Sequence, residues 1–323
     1  MDQNHDQGET VTPAPLAARL SIPSGPLFFP VTAFGPDGAV DPDAFRLHVR
    51  RGVEAGAAAV FACCGTGEFH ALTPEEFETC VRVAVEAAEG RVPVVAGAGY
   101  GTALAVRYAR LAEAAGADGL LAMPPYLVKA GQEGLLRHYR ELAAATSLPV
   151  IVYQRDNAVF SPATVVELAR TEGVVGLKDG FGDLDLMQRT VSAVRTAGVE
   201  EFLYFNGLPT AELTQPAYHG LGVTLYSSAV FCFAPEIALA CHTALRTGDE
   251  ATVRRLTDHF YRPFVELRDQ GQGYAVSLVK AGVRLRGLDV GEVRPPLHEP
   301  AGDHLKQLAQ LIERGQALLE EGM

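Results

Sequence analysis

Short apolar runs that end in glycine or a polar residue alternate along the chain with longer segments carrying alanine and leucine at helical spacing. A brief continuous apolar run between turn signals predicts a strand buried on both faces, as a parallel sheet requires. Runs of this kind fall at residues 27–32, 58–63, 92–96, 119–123, 149–153, 174–178, 202–206 and 223–227. Helical segments are predicted between them at 42–55, 74–89, 102–115, 132–145, 162–170 and 184–195. Several open on an N-cap followed by proline: Asp41 before Pro42, Thr73 before Pro74 with Glu76 completing a capping box, and Ser161 before Pro162. Glycines 56, 90, 116 and 220 stand where a left-handed cap ends a helix at little cost.

Strands alternating with helices over 200–250 residues predict a (β/α)₈ TIM barrel. The competing architecture is a doubly wound open sheet. It rests on Gly97-Ala98-Gly99-Tyr100-Gly101, which lacks GxGxxG spacing and follows the third strand rather than the first. The same glycines read as a tight turn over a pocket. After residue 234 the periodicity is wholly helical, at 235–246, 250–268, 275–285 and 303–319. The first of these segments completes the barrel and the rest form a small C-terminal helical bundle. Residues 1–20 read as a polar, disordered tail, 21–247 as the barrel and 248–323 as the helical domain.

Composition narrows the function. The chain has 323 residues, 48% apolar and 20% charged, with a formal net charge of −12. That acidity argues against a nucleic-acid or anionic-membrane surface, and no basic run contradicts it. It leaves room for an anionic small substrate, since a few local cations dominate a pocket. The cysteines at 63, 64, 80, 232 and 241 show no CxxC spacing and no histidine pairing, so they read as buried thiols in a reducing compartment. With no basic, apolar leader and no apolar stretch of membrane-spanning length, the expectation is a cytoplasmic protein.

Candidate chemistry gathers at the carboxyl ends of the strands, where such barrels hold their sites. These ends carry Thr32, Gly65-Thr66-Gly67-Glu68, Pro124-Pro125-Tyr126, Tyr153-Gln154-Arg155-Asp156-Asn157, Lys178, Asn206 and Ser227-Ser228. No histidine or carboxylate cluster has metal-ligand spacing. Lys178 closes the apolar run Gly173–Leu177. An ammonium there is poorly solvated, so its neutral amine is easier to reach and can attack a carbonyl to form a Schiff base. The alternative is a surface lysine that merely ends a strand.

Gly65-Thr66-Gly67-Glu68, Pro124-Pro125-Tyr126, Tyr153 and Gly176-Leu177-Lys178-Asp179, in this order and spacing, resemble the dihydrodipicolinate synthase/N-acetylneuraminate lyase superfamily over residues 22–320. The resemblance implies that Lys178 forms an imine with a 2-oxo acid and that Tyr153 relays protons. It also implies that Gly65, Thr66 and Gly67 hold the oxo-acid carboxylate through backbone N–H groups and the Thr66 hydroxyl. It needs no cofactor, because the imine is the electron sink. Tyr126 matches a tyrosine that many members lend to a neighbouring subunit, which implies a homo-oligomer, a tetramer or dimer.

Two features depart from the common pattern: Gly65 stands where many members have a hydroxyl residue, and no proline follows Tyr153. The second, with Gly65–His70 and Thr224–Phe231, resembles the branch of lyases that dehydrate and decarboxylate a sugar diacid. Such a substrate needs a second carboxylate site. Arg155 is the candidate, helped by Asn157 or Ser227, against the alternative of a local ion pair with Asp156 or Asp183. Glu68 reads as a structural acceptor of loop N–H bonds. The rival functions are a pyruvate-dependent aldolase or synthase, a non-catalytic 2-oxo-acid-binding barrel, and a nicotinamide dehydrogenase on the Gly97 loop.

Overall fold

The computed structural model describes residues 16–21 and 24–320. Eight parallel strands close into a barrel in sequence order: β1 (Leu27–Phe28), β2 (Ala59–Ala62), β3 (Val94–Ala98), β4 (Gly119–Ala122), β5 (Val150–Gln154), β6 (Val174–Asp179), β7 (Leu203–Asn206) and β8 (Leu225–Ser228). The seam pairs Leu27 with Ser227 and Phe28 with Ser228. Alternate side chains divide the strands between two cores. Leu27, Phe29, Phe61, Val95, Leu121, Ile151, Phe205 and Leu225 fill the interior, while Phe28, Val60, Val94, Leu120, Val152 and Leu177 face the helices.

The helices are α1 (Leu16–Leu20), α2 (Pro42–Glu54), α3 (Pro74–Ala88), α4 (Thr102–Ala114), α5 (Gln132–Ala143), α6 (Pro162–Ala169), α7 (Leu184–Thr196), α8 (Gln215–Gly220), α9 (Pro235–Thr247), α10 (Glu250–Leu256), α11 (Arg262–Arg268), α12 (Tyr274–Leu285) and α13 (Gly302–Glu320). The caps form as the sequence predicts. Asp41 accepts from the backbone N–H groups of Asp43 and Ala44, Thr73 and Glu76 close a capping box, and Ser161 accepts from Thr164 N. No helix among the described residues is long and apolar enough to cross a membrane.

Four expectations are corrected. The tail expected over residues 1–20 does not include its last five residues: Leu16–Leu20 make a helical turn, with Leu16 and Leu20 buried in the interior core, and residues 1–15 lie outside those described. Strand β1 stops at Phe28 rather than Thr32; Pro30, with no N–H, follows directly and cannot extend the ladder. Gly220 does not take the left-handed cap; Gly222 does, at φ 84°. The helix expected over 250–268 is interrupted by a π turn at Thr257–Tyr261, across which Arg262 N donates to Thr257 O. Pro263 supplies no N–H for the carbonyl four residues back, and the chain widens by one residue instead.

Candidate active site

Lys178 lies one residue from the end of β6 and is 5% exposed, which removes the surface-lysine alternative. Its Cα partners across the sheet are Tyr153 on β5 and Phe205 on β7. Nζ sits 4.1 Å from the centroid of the Tyr153 ring and 4.9 Å from that of Phe29. The Tyr153 hydroxyl donates to Gly207 O at 3.2 Å and accepts from Arg155 Nη1 at 3.4 Å. Burial pushes the phenol up, but the charge of Lys178 and the Arg155 guanidinium together outweigh it and hold Tyr153 below its ordinary value. A phenol so placed is suited to passing protons beside an amine.

The residue after the lysine fixes the strand end. Asp179 is fully buried. Its Oδ1 accepts from Gln154 Nε2 at 3.0 Å and Phe181 N at 2.9 Å, and its Oδ2 accepts from the Tyr218 hydroxyl at 2.5 Å. Asn206 does the same for β7, donating from Nδ2 to Ala211 O, Thr214 Oγ1 and Gln215 Oε1. The amine therefore stands on strands whose ends are tied laterally, which holds its stem in one place.

A cavity of about 210 Å³ opens over Lys178. Of the residues singled out in the sequence, Gly65, Thr66, Tyr153, Arg155, Lys178 and Ser227 line it. Gly67 does not: it lies buried under the turn, its carbonyl accepting from Thr32 Oγ1 at 2.7 Å. Asn157 and Tyr126 do not line it either. They border a neighbouring groove of about 290 Å³ with Tyr100, Met123 and Asp156, and Tyr126 is 66% exposed. Arg155 reaches the cavity and also pairs with Asp156, Nε to Oδ2 at 3.2 Å, so the local ion pair forms without drawing the guanidinium out of the cavity. Glu68 is fully buried, but in place of the loop N–H bonds expected of it, it accepts from two distant groups, Lys280 Nζ at 2.8 Å and Arg294 N at 2.9 Å.

The far wall comes from the C-terminal helices: Phe264 and Arg268 on α11, and Ala275, Val276 and Val279 on α12, line the same cavity. Arg268 donates from Nη1 to Pro209 O at 2.9 Å and Thr210 Oγ1 at 3.1 Å, tying α11 to the loop after β7. Their only sequence signal is amphipathic spacing, which any packed helix shares. Among the described residues, no group of three or more histidine, cysteine, aspartate or glutamate side chains is placed to hold a metal ion, and all five cysteines are buried and free.

A (β/α)₈ barrel built around a buried lysine at the carboxyl end of its sixth strand, with a phenol beside the amine, is the architecture of a carbonyl-binding lyase. The chain belongs to the dihydrodipicolinate synthetase family, whose model matches residues 23–315. It is 81% identical over 313 residues to a probable 5-dehydro-4-deoxyglucarate dehydratase 1 of Streptomyces avermitilis, covering 97% of this chain and 100% of that one. A probable 5-dehydro-4-deoxyglucarate dehydratase of Rhizobium rhizogenes is 45% identical over 304 residues, covering 94% and 99%. Among solved structures, dihydrodipicolinate synthase from Bacillus clausii superposes with a TM-score of 0.82 at 30% identity, covering 93% of this chain and 99% of that one.

Proposed function

We propose that this protein is a Schiff-base lyase that converts 5-dehydro-4-deoxyglucarate to 2,5-dioxopentanoate, carbon dioxide and water. The observation that carries the reading is the placement of Lys178, buried between the rings of Tyr153 and Phe29 at the floor of the cavity. The relatives at 81% and 45% identity supply the substrate.

Lys178 Nζ attacks the substrate ketone and water leaves, giving an imine. The imine acidifies the adjacent CH₂, and Tyr153, ionised to the phenolate, accepts that proton. The enamine electrons then expel the β-hydroxyl, which departs as water with a returned proton. The conjugated imine now accepts the electron pair of the bond to the far carboxylate, and CO₂ leaves. Reprotonation and hydrolysis restore the free amine and release the dioxo acid, so the water lost on imine formation is taken back. The net change is loss of one CO₂ and one H₂O.

In this scheme the retained carboxylate lies on the Gly65–Thr66 turn. The carboxylate to be lost lies towards Arg155 and Ser227, with Arg268 supplying a second positive charge to the same cavity. Two guanidiniums around one cavity suit a dianion better than a monoacid paired with a neutral aldehyde. Copies of the chain associate through the exposed run Tyr126-Leu127-Val128, an apolar edge beside the site. Sedimentation of Leu127→Asp should move the protein to a smaller species.

Borohydride reduction in the presence of the diacid tests the chemistry. Peptide mapping should locate the added mass on Lys178, and the released product should lack both water and CO₂. An active enzyme whose Lys178 carries no label would overturn the reading.

A further inference from the structure

Glu68 closes the Gly65–Gly67 turn in a left-handed conformation, φ 55°, which is unfavourable for a residue with a Cβ. Its carboxylate is wholly buried and both oxygens are engaged from the far end of the chain. Oε1 accepts from Lys280 Nζ on α12, and Oε2 accepts from the backbone N–H of Arg294. Lys280 is itself fully buried, with Nζ 3.9 Å from the centroid of the Phe34 ring; the Arg294 guanidinium lies 4.2 Å from the same ring. Arg294 goes on to donate to Ala71 O at 2.8 Å and to both oxygens of Glu76, at 2.7 and 2.6 Å. Next to Lys280 in sequence, Val279 lines the cavity, as does Val276. One helix therefore walls the cavity and holds the turn beside it.

Stability alone does not account for this pair. A wholly buried ion pair costs so much desolvation that apolar residues of similar volume serve a core as well or better. An ionic tie does what an apolar pair cannot: it fixes one carboxylate, and with it a strained backbone, in one orientation.

We propose that Lys280 is a positioning residue for oxo-acid binding, its charge holding Glu68 so that α12 sets the conformation of the Gly65–Gly67 turn. The proposal rests on the reading that this turn takes the retained carboxylate. It has a pH consequence. Burial lowers Lys280 to about 8, with Glu68 pulling it back up. The other charged groups facing it are Arg284 and Glu299, which pair with each other, and the Arg294–Glu76 pair. As pH rises through about 8 the ammonium loses its proton, the tie to Glu68 weakens, and substrate binding weakens with it.

The experiment uses the full-length enzyme and two readouts: steady-state kinetics on the diacid, and the pyruvate concentration giving half-maximal borohydride trapping at Lys178. Lys280→Met should raise KM and the half-trapping concentration by about 10- to 100-fold while kcat stays within about threefold. Because Lys280→Met leaves Glu68 buried and unpaired, the double variant Glu68→Gln/Lys280→Met guards against simple unfolding. It should keep the raised KM, and it should lack the climb in KM above pH 8 expected of the unaltered enzyme. A wild-type KM in the double variant, or a climb above pH 8 that persists in it, would overturn the proposal. Failure of the unaltered enzyme to trap pyruvate at Lys178 would instead overturn the reading on which it rests.

Discussion

Gly207 and Lys178 meet so closely that no side chain fits between them: a Cβ on Gly207 would lie 2.7 Å from Lys178 Cγ and 2.9 Å from Nζ. The glycine is required by this approach and not by its backbone angles. Gly207→Ala should push the lysine stem off its line and lower kcat by about 100-fold. The accompanying stability loss should be about 1–3 kcal/mol, the usual cost of overpacking. Kinetics with parallel denaturant melts separates the two effects.

Arg155 touches the phenol as well as the cavity. Removing its guanidinium takes away one of the two positive charges that hold Tyr153 down, so the phenol rises. In Arg155→Gln the acidic limb of the kcat–pH profile, where activity follows loss of the phenol proton, should move to higher pH. An unchanged limb would remove Arg155 from the control of Tyr153.

Glu212 is a buried carboxyl whose Oε1 accepts from the Ser228 hydroxyl and whose Oε2 has no hydrogen-bond partner among the described residues. Burial raises it from 4.5 to about 7. An acid whose folded pKa lies above its unfolded value destabilises the fold only when ionised. The penalty is absent below pH 4.5, grows between 4.5 and 7, and levels off above 7 at about 3 kcal/mol. Glu212→Gln should therefore raise Tm at pH 8 and change it little at pH 4.5.

Tyr218 supplies the third bond to Asp179, next to the lysine. Tyr218→Phe leaves Oδ2 of a buried carboxylate unmatched and should cost about 1–3 kcal/mol in a urea melt. Since Gln154 and Phe181 N still hold Oδ1, activity per folded molecule should fall by less than about tenfold.

Strand after strand was legible because a run buried on both faces admits few polar residues, and Asp41, Thr73 and Ser161 marked helix starts through local hydrogen bonds. Lys178 and Tyr153 were legible by the same logic, as polar groups ending apolar runs. The partners of Glu68 were not. Lys280 stands 212 residues away, and nothing local distinguishes it from a lysine on a solvated helix face. The same holds for Arg268, which reaches the cavity only because α11 folds back over the barrel mouth. The proline that breaks the 250–268 helix was visible in the sequence, but its structural effect depends on whether neighbouring helices accept a widened turn.

That widened turn has a consequence for the cavity. Phe264 and Arg268, four residues apart, share one side of α11 and together form part of the roof. A residue more or fewer between α10 and α11 rotates everything downstream by about 100°. Without the additional residue at Thr257–Tyr261, both side chains would swing away from the barrel mouth, leaving the lysine beneath a gap.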